Sequence, residues 1–373
     1  MTGRPDPERP DPVRTSAPSA PPDPVPPADT PDRTARPGRP GPARGLDPEA
    51  RPYAEALAAV FPDLGGAVTD AAEARRLLAA ASRPAGPPPA VGAVNDRTVP
   101  GPAGAPPVPV RVYRPDPARW PGPRPTVVFC HGGGFVLCDL DTHDRTVRNL
   151  CRAAGAVVVS VDYRRAPEHP YPAALLDAYA ALCWAGERVA ELGGDPGALV
   201  VAGDSAGGNL ATASLLLAAR RGGPPVALQV LAYPMLSAAM DLDAYRRHAH
   251  GPYLTTVHLR WFWEQYLGPG GDRRDPLAAP LEAGAEALAA LPPAHLVLAG
   301  RDPLCDDGHV YARLRRSRGA PVTVDLYPGM FHGFLALSAQ LPQAGRALAI
   351  LGEVVAATLD RGKNSGGSGV AAG

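Results

Sequence analysis

The sequence predicts an α/β protein with a mostly parallel sheet covered on both faces by helices, and three features carry that expectation. Apolar runs of strand length alternate with stretches of helical periodicity through most of the chain, with no internal sequence repeat. The run 198–202 is short and apolar and holds the pair Val200-Val201, which suits a strand buried on both faces. From Ala206 onward Leu210, Ala213, Ser214 and Leu217 recur at helical spacing, so the side-chain period changes from about 2 to about 3.6 across one tight turn.

Taken in order, residues 1–45 hold 14 of the 48 prolines among Arg, Asp, Ala and Gly, with almost no bulky apolar residue. Such a segment cannot bury enough surface to offset its ordering entropy, so disorder is expected there; a Pro-rich ligand for a partner domain is the alternative to an inert tail. Across 47–81, Tyr53, Leu57, Val60, Phe61, Ala72, Leu77 and Leu78 read as one or two amphipathic helices. Segments 91–99 and 108–113 flank a Pro/Gly turn region and look like an antiparallel hairpin, the second alternating at Val108, Val110 and Val112. Strands are then expected at 126–130, 156–163, 198–202, 227–233, 295–299 and 322–327. Helices are expected at 144–154, at 171–192 with Pro172 in the first turn, after Ser205, at 307–318 and at 343–359. Residues 241–267 interrupt the alternation with Tyr253, Trp261, Phe262, Trp263 and Tyr266, and the tail from 362 has the composition of a flexible linker.

Composition narrows the function classes. Lys+Arg and Asp+Glu number 37 each, so no overall charge favours nucleic acid or an anionic membrane as partner. No window approaches a membrane-spanning apolar run, and the N-terminus lacks the apolar core of a signal peptide. The five cysteines, Cys130, Cys138, Cys151, Cys183 and Cys305, are odd in number, scattered and free of any C-x-x-C pair. They read as reduced thiols in a cytoplasmic protein, with no metal site implied.

The chemistry gathers around Ser205. Gly203, Ser205 and Gly207 form G-x-S-x-G at the strand-to-helix turn, where a sharp reversal leaves no room for Cβ atoms beside an exposed serine. A phosphate-binding loop or a plain turn is the alternative, weakened by the lack of a Gly-Lys-Ser/Thr ending and of G-x-G-x-x-G. A serine hydroxyl needs a base to act as a nucleophile, and the base needs a carboxylate to orient it. Asp302, in G-R-D-P-L-C-D-D-G after the run 295–299, and His332, in Y-P-G-M-F-H-G-F after the run 322–327, supply them in the chain order Ser, Asp, His. Asp306 and Asp307 compete with Asp302 but are expected to open the following helix as cap and first-turn acids. Asp204 is expected to be a hydrogen-bonding group of the turn, and His131 to shape its own loop. His131-Gly132-Gly133-Gly134 follows a strand, and Gly133, Gly134 and Ala206 are the expected N–H donors to an oxyanion.

Together H-G-G-G, G-D-S-A-G-G-N, D-P-L and F-H-G-F, with 162–175 and 302–322, resemble the hormone-sensitive-lipase-like family of α/β-hydrolases, in the bacterial branch with the G-D-S-A-G elbow. The resemblance spans roughly 47–359. It implies an α/β-hydrolase fold with an eight-stranded, mostly parallel sheet, a domain over 46–361 whose helical cap comes from about 46–90 and 241–267, and carboxylesterase activity without metal or cofactor. It departs from the family at Cys138, where glycine is common, and in the Pro-rich extension. The expected activity is hydrolysis of short- to medium-chain acyl esters, with Phe135, Tyr253 and Trp261 against the apolar part of the substrate, although an aromatic stripe is more often core than pocket. An N-acyl or acetyl hydrolase of a secondary metabolite is the alternative, and a silent ligand-binding protein on the same fold a third. Substrate identity and oligomeric state stay open, a homodimer included.

Deleting residues 1–40 is expected to leave Tm and ester turnover nearly unchanged, because an unpacked tail makes few buried contacts. A large drop in Tm on thermal melting would show that the segment docks.

Overall fold

Strands stand where the apolar runs stand: β1 (Ala93–Val99), β2 (Val108–Arg114), β3 (Arg124–Cys130), β4 (Val157–Val161), β5 (Gly194–Asp204), β6 (Leu228–Ala232), β7 (Ala294–Arg301) and β8 (Val322–Phe331). The computed structural model describes residues 45–81 and 86–360. The expected disorder over 1–45 and the expected flexible tail from 362 lie outside the described residues, except Gly45, whose carbonyl accepts from Arg301 Nε at 2.8 Å. The eight strands form one sheet in the order β1-β2-β4-β3-β5-β6-β7-β8. β1 and β2 pair antiparallel and β2 meets β4 antiparallel, while every pairing from β4 to β8 is parallel.

Among the described residues ten α-helices accompany the sheet: α1 (Arg51–Val60), α2 (Ala71–Ala81), α3 (Leu140–Ala154), α4 (Ala173–Glu187), α5 (Ala206–Arg221), α6 (Asp243–Arg247), α7 (Thr256–Leu267), α8 (Gly284–Ala289), α9 (Cys305–Arg316) and α10 (Pro342–Ala356). The pleat sorts the strand side chains between two layers. In β3, Val127 and Phe129 join Val147, Leu150, Ala344 and Leu351 of α3 and α10. Val128 and Cys130 join Ala178, Leu182, Leu210 and Ala213 of α4 and α5 on the other face. The strand runs read as continuously apolar because both faces are buried.

Several boundaries differ from the sequence expectation for local reasons. α3 starts at Leu140 instead of 144, because Asp139 accepts from Thr142 N at 2.9 Å while the Thr142 hydroxyl takes the Asp139 N–H, a reciprocal cap. Asp144 is a mid-helix partner, accepting from Tyr113 OH and pairing with Arg148. Pro172 is the N-cap of α4 rather than part of its first turn, and α4 ends at Glu187 rather than 192. β8 continues to Phe331 and delivers His332 directly at its end.

The N-terminal helices are fastened to the rest of the domain. Asp47 N donates to Gly329 O at 3.0 Å, and Ala50, the N-cap of α1, and Ala54 within it lie in the same core as α10. From α2, Arg75 donates to Val136 O and Ala166 O, each at 2.7 Å, and pairs with Glu168. Phe61 meets Tyr253 edge-on at 4.8 Å, and Trp261 Nε1 donates to Thr69 O at 3.2 Å, so α7 packs on the segment joining α1 and α2. Among the described residues no helix is long and apolar enough to cross a membrane.

Candidate active site

Parallel strands bring their carboxyl ends to one edge, and four of those ends carry the residues singled out in the sequence. The H-G-G-G stretch follows β3, Ser205 follows β5, Asp302 follows β7 and His332 follows β8. Ser205 has φ 55° and ψ −120°, a conformation that costs energy for any residue with a side chain. The surrounding backbone holds it there. Ser205 N donates to Ala232 O at 2.9 Å, Met235 N donates to Ser205 O at 3.1 Å, and Asn209 Nδ2 ties Met235 O to Ala278 O. A Cβ on Gly207 would run into the carbonyls of Cys130 and His131, so glycine lets the start of α5 touch the end of β3.

His332 Nδ1 lies 2.7 Å from Asp302 Oδ2, and Asp302 Oδ1 accepts from Leu304 N at 2.9 Å. Asp302 is fully buried and the His332 ring, packed at 4.8 Å on Tyr233, is 8% exposed. The imidazole is thus fixed on one side by a dry carboxylate and open on the other. His332, Ser205, Gly133 and Gly134 line one cavity of about 260 Å³, whose other walls include Leu57, Phe61 and Leu78 from α1 and α2, and Leu259 and Phe262 from α7. Among the described residues no backbone carbonyl accepts from the N–H of Gly133, Gly134 or Ala206. Gly133 O accepts from Val136 N and Leu137 N, which curls the loop under the cavity.

Asp204 and His131 do what their places suggested. Asp204 Oδ1 accepts from Gly132 N at 2.9 Å and so joins the serine turn to the glycine loop. His131 Nδ1 donates to Gly132 O at 2.7 Å, and its ring stacks on Tyr163 at 4.3 Å. Burial, with the positive charge of His143 beside it, holds His131 down to about 3, so it stays neutral. His143, which the sequence reading missed, sits with Nε2 3.5 Å from Asp204 Oδ1. Burial opposes its charge, but Asp204 outweighs that and raises His143 to about 10. Only its place one turn into α3 could have hinted at this, since a histidine in a helix carries no motif.

The three aromatic candidates divide. Tyr253 lines the cavity. Phe135 is fully buried and stacks on Tyr266 at 3.7 Å, and Trp261 turns to Thr69 and Gly65. Neither borders the cavity; Phe262 takes that place, packed where a Cβ on Gly134 would stand. Cys138 also borders it, at φ 63°, so the backbone keeps the left-handed conformation that glycine favours and the sulfur rests against Gly133.

Asp306 and Asp307 lie in the first turn of α9, as expected, but neither caps it. α9 has no side-chain cap, and Asp307, fully buried, accepts from Leu236 N and Ser237 N at 2.7 and 2.9 Å and meets Tyr245 OH at 2.9 Å. Asp306 accepts from Ala244 N and pairs with Arg247. Both acids fasten the chain after β6, and with it α6, to α9. Among the described residues no group of three or more His, Cys, Asp or Glu is placed to hold a metal ion.

A serine on a glycine elbow, a carboxylate-bound histidine at a neighbouring strand end and a loop of free N–H groups define a hydrolase of the α/β type. Comparison with known proteins agrees. The profile of the α/β-hydrolase-fold family matches residues 127–336. Carboxylesterase NlhH of Mycobacterium tuberculosis is 45% identical over 264 residues, 69% of this chain and 82% of that protein. Ethyl acetate hydrolase of Pseudomonas putida is 37% identical over 253 residues, 66% and 78% of the two chains. The solved esterase of Pyrobaculum calidifontis superposes with a TM-score of 0.72 at 37% identity, over 84% of this chain and 99% of that one. The chain belongs to the hormone-sensitive-lipase-like α/β-hydrolases and is a carboxylic-ester hydrolase.

Burial raises Asp307 to about 8 against the pull of its N–H donors, so the fold holds the neutral acid, whose O–H can donate to Tyr245 while Tyr245 donates on to Ser237 O at 3.3 Å. Its contribution to stability is complete below about pH 4, where the unfolded acid is also protonated, and is lost progressively as pH rises from there to about 8. Asp307→Asn keeps the acceptor and donor of the neutral acid, so turnover should stay within about tenfold. Denaturant midpoints should fall less steeply in the variant than in the parent between about pH 4 and pH 8, where the unfolded acid is ionised and the folded one is not. Parallel slopes in parent and variant would mean that the carboxylate is the native form.

Proposed function

We propose that this chain hydrolyses short- to medium-chain acyl esters through an acyl-enzyme on Ser205. The observation that carries the reading is the 2.7 Å bond between His332 Nδ1 and Asp302 Oδ2, with His332 and Ser205 on the wall of one cavity. In this mechanism Asp302 fixes the tautomer that leaves His332 Nε2 free to take the Ser205 proton. Ser205 Oγ attacks the ester carbonyl, and the negative charge that builds on its oxygen is met by the N–H groups of Gly133, Gly134 and Ala206. Each such donor is worth about 10²-fold or more in rate. His332 returns the proton to the leaving alcohol, then activates a water that releases the acid and restores Ser205.

A cavity of about 260 Å³ favours a small acyl group, since drug-sized sites run to roughly 300–1,000 Å³. A relative named for ethyl acetate supports the same size class. Leu57, Phe61, Leu78, Tyr253 and Phe262 give the substrate its apolar surface, and the helices that carry most of them form the cap in this reading. The five cysteines stand unpaired, which supports a reducing, cytoplasmic setting.

Ser205→Ala is expected to abolish turnover of p-nitrophenyl acetate with folding intact by circular dichroism; more than about a tenth of the parent activity would sink the nucleophile assignment. Asp302→Asn should lower kcat by about 10³- to 10⁴-fold, because the amide holds the wrong imidazole tautomer. On a series of p-nitrophenyl esters from acetate to palmitate, kcat/KM should peak at the short to medium end. A maximum at palmitate would overturn the chain-length reading.

A further inference from the structure

The glycine loop is attached to the serine turn by one side chain. Asp204 Oδ1 accepts the Gly132 N–H at 2.9 Å, and its other oxygen lies where a Cβ on Gly132 would be, so the carboxylate is flush against the loop. Gly132 is the residue before the two expected oxyanion donors. Asp204 also sits one residue before Ser205, so the position of that carboxylate fixes both halves of the pocket relative to each other.

A carboxylate in this place has lost most of its water and needs a counter-charge. His143 of α3 is the ring that supplies it, with Nε2 3.5 Å from Asp204 Oδ1. Around that ring stand Thr142 Oγ1 at 3.5 Å from Nδ1, the His131 ring at 5.4 Å, the Phe129 ring at 6.5 Å and the Cys138 thiol. Asp204 is the acid that governs its charge, and His131 is its neutral neighbour.

We infer that His143 is a positioning residue for ester hydrolysis: its ion pair with Asp204 holds the carboxylate that anchors Gly132, and through it the N–H groups of Gly133 and Gly134. His143 also borders the cavity that holds Ser205 and His332, and the role assigned to it runs through its contact with Asp204. The inference rests on the serine-esterase reading for its effect on rate, and on the structure alone for its effect on the loop. A loop displaced by about 1 Å loses on the order of 10²-fold in rate. The loss falls on the step in which the oxyanion forms, so it appears in kcat more than in KM.

The test is a double-mutant cycle on p-nitrophenyl acetate hydrolysis, with amide hydrogen exchange of the peptide spanning 131–138 followed by mass spectrometry. His143→Gln should lower kcat by about 10- to 100-fold with KM changed less than about threefold. It should also speed exchange in that peptide relative to the strand peptides. His143→Lys, which restores a cation, should recover most of the loss. In an Asp204→Asn background His143→Gln should add less than about twofold, because both act through one contact. Additive losses, failure of lysine to rescue, or unchanged exchange would each overturn the inference. If the parent enzyme hydrolysed no ester, the esterase reading would fall, and exchange would still decide whether His143 holds the loop.

Discussion

The site depends on one close contact between backbones. Gly207, at the start of α5, lies against the carbonyls of Cys130 and His131 at the end of β3, with no side chain between them. β3 and β5 are parallel neighbours paired as far as Cys130 with Gly203, so their ends stay side by side where the chain leaves the sheet. The strained turn at Ser205 and the glycine loop are two sides of this contact. A methyl group at 207 would push them apart and separate the serine turn from the glycine loop. The strain at Ser205 survives because the packing around it is rigid: Ser205, Ala206 and Asn209 are all buried.

Much of this was legible in the chain because it depends on backbone geometry, and glycine and apolar runs record backbone geometry directly. The strands stand near their expected places, since a run buried on both faces has only its length and its valines to show. The order of Ser205, Asp302 and His332 could be read because each follows a strand, and parallel strands end at the same edge. The boundary of α3 could not be read as easily: Asp139 and Asp144 are equally good cap letters, and only the hydroxyl of Thr142 settles which one caps.

Side-chain direction was the part the sequence held back. In α7 Trp261, Phe262 and Trp263 are consecutive, so they point in three directions about 100° apart, and nothing in composition says which one meets the cavity. The choice fell to Phe262 because α7 lies across Gly134, a tertiary fact. Asp307 stands in the first turn where the sequence put it, but its partners were not legible, for a related reason. An acid in the first turn of a helix ordinarily faces water, and here the chain after β6 packs over it and makes it an interior acceptor. His143 likewise acquires its role from Asp204, 61 positions further along the chain.

The joint that Arg75 makes has a consequence for acid tolerance. Its guanidinium binds two carbonyls, Val136 O beside the glycine loop and Ala166 O of the next crossover, and neither bond involves a group that titrates. A guanidinium stays charged at any pH a protein survives. The Arg75 hydrogen bond also holds Glu168 well down, to about 2, so the ionic part of the joint lasts into strong acid. Protonation therefore leaves the Arg75 joint between the N-terminal helices and the glycine loop in place over the range in which the histidines change charge.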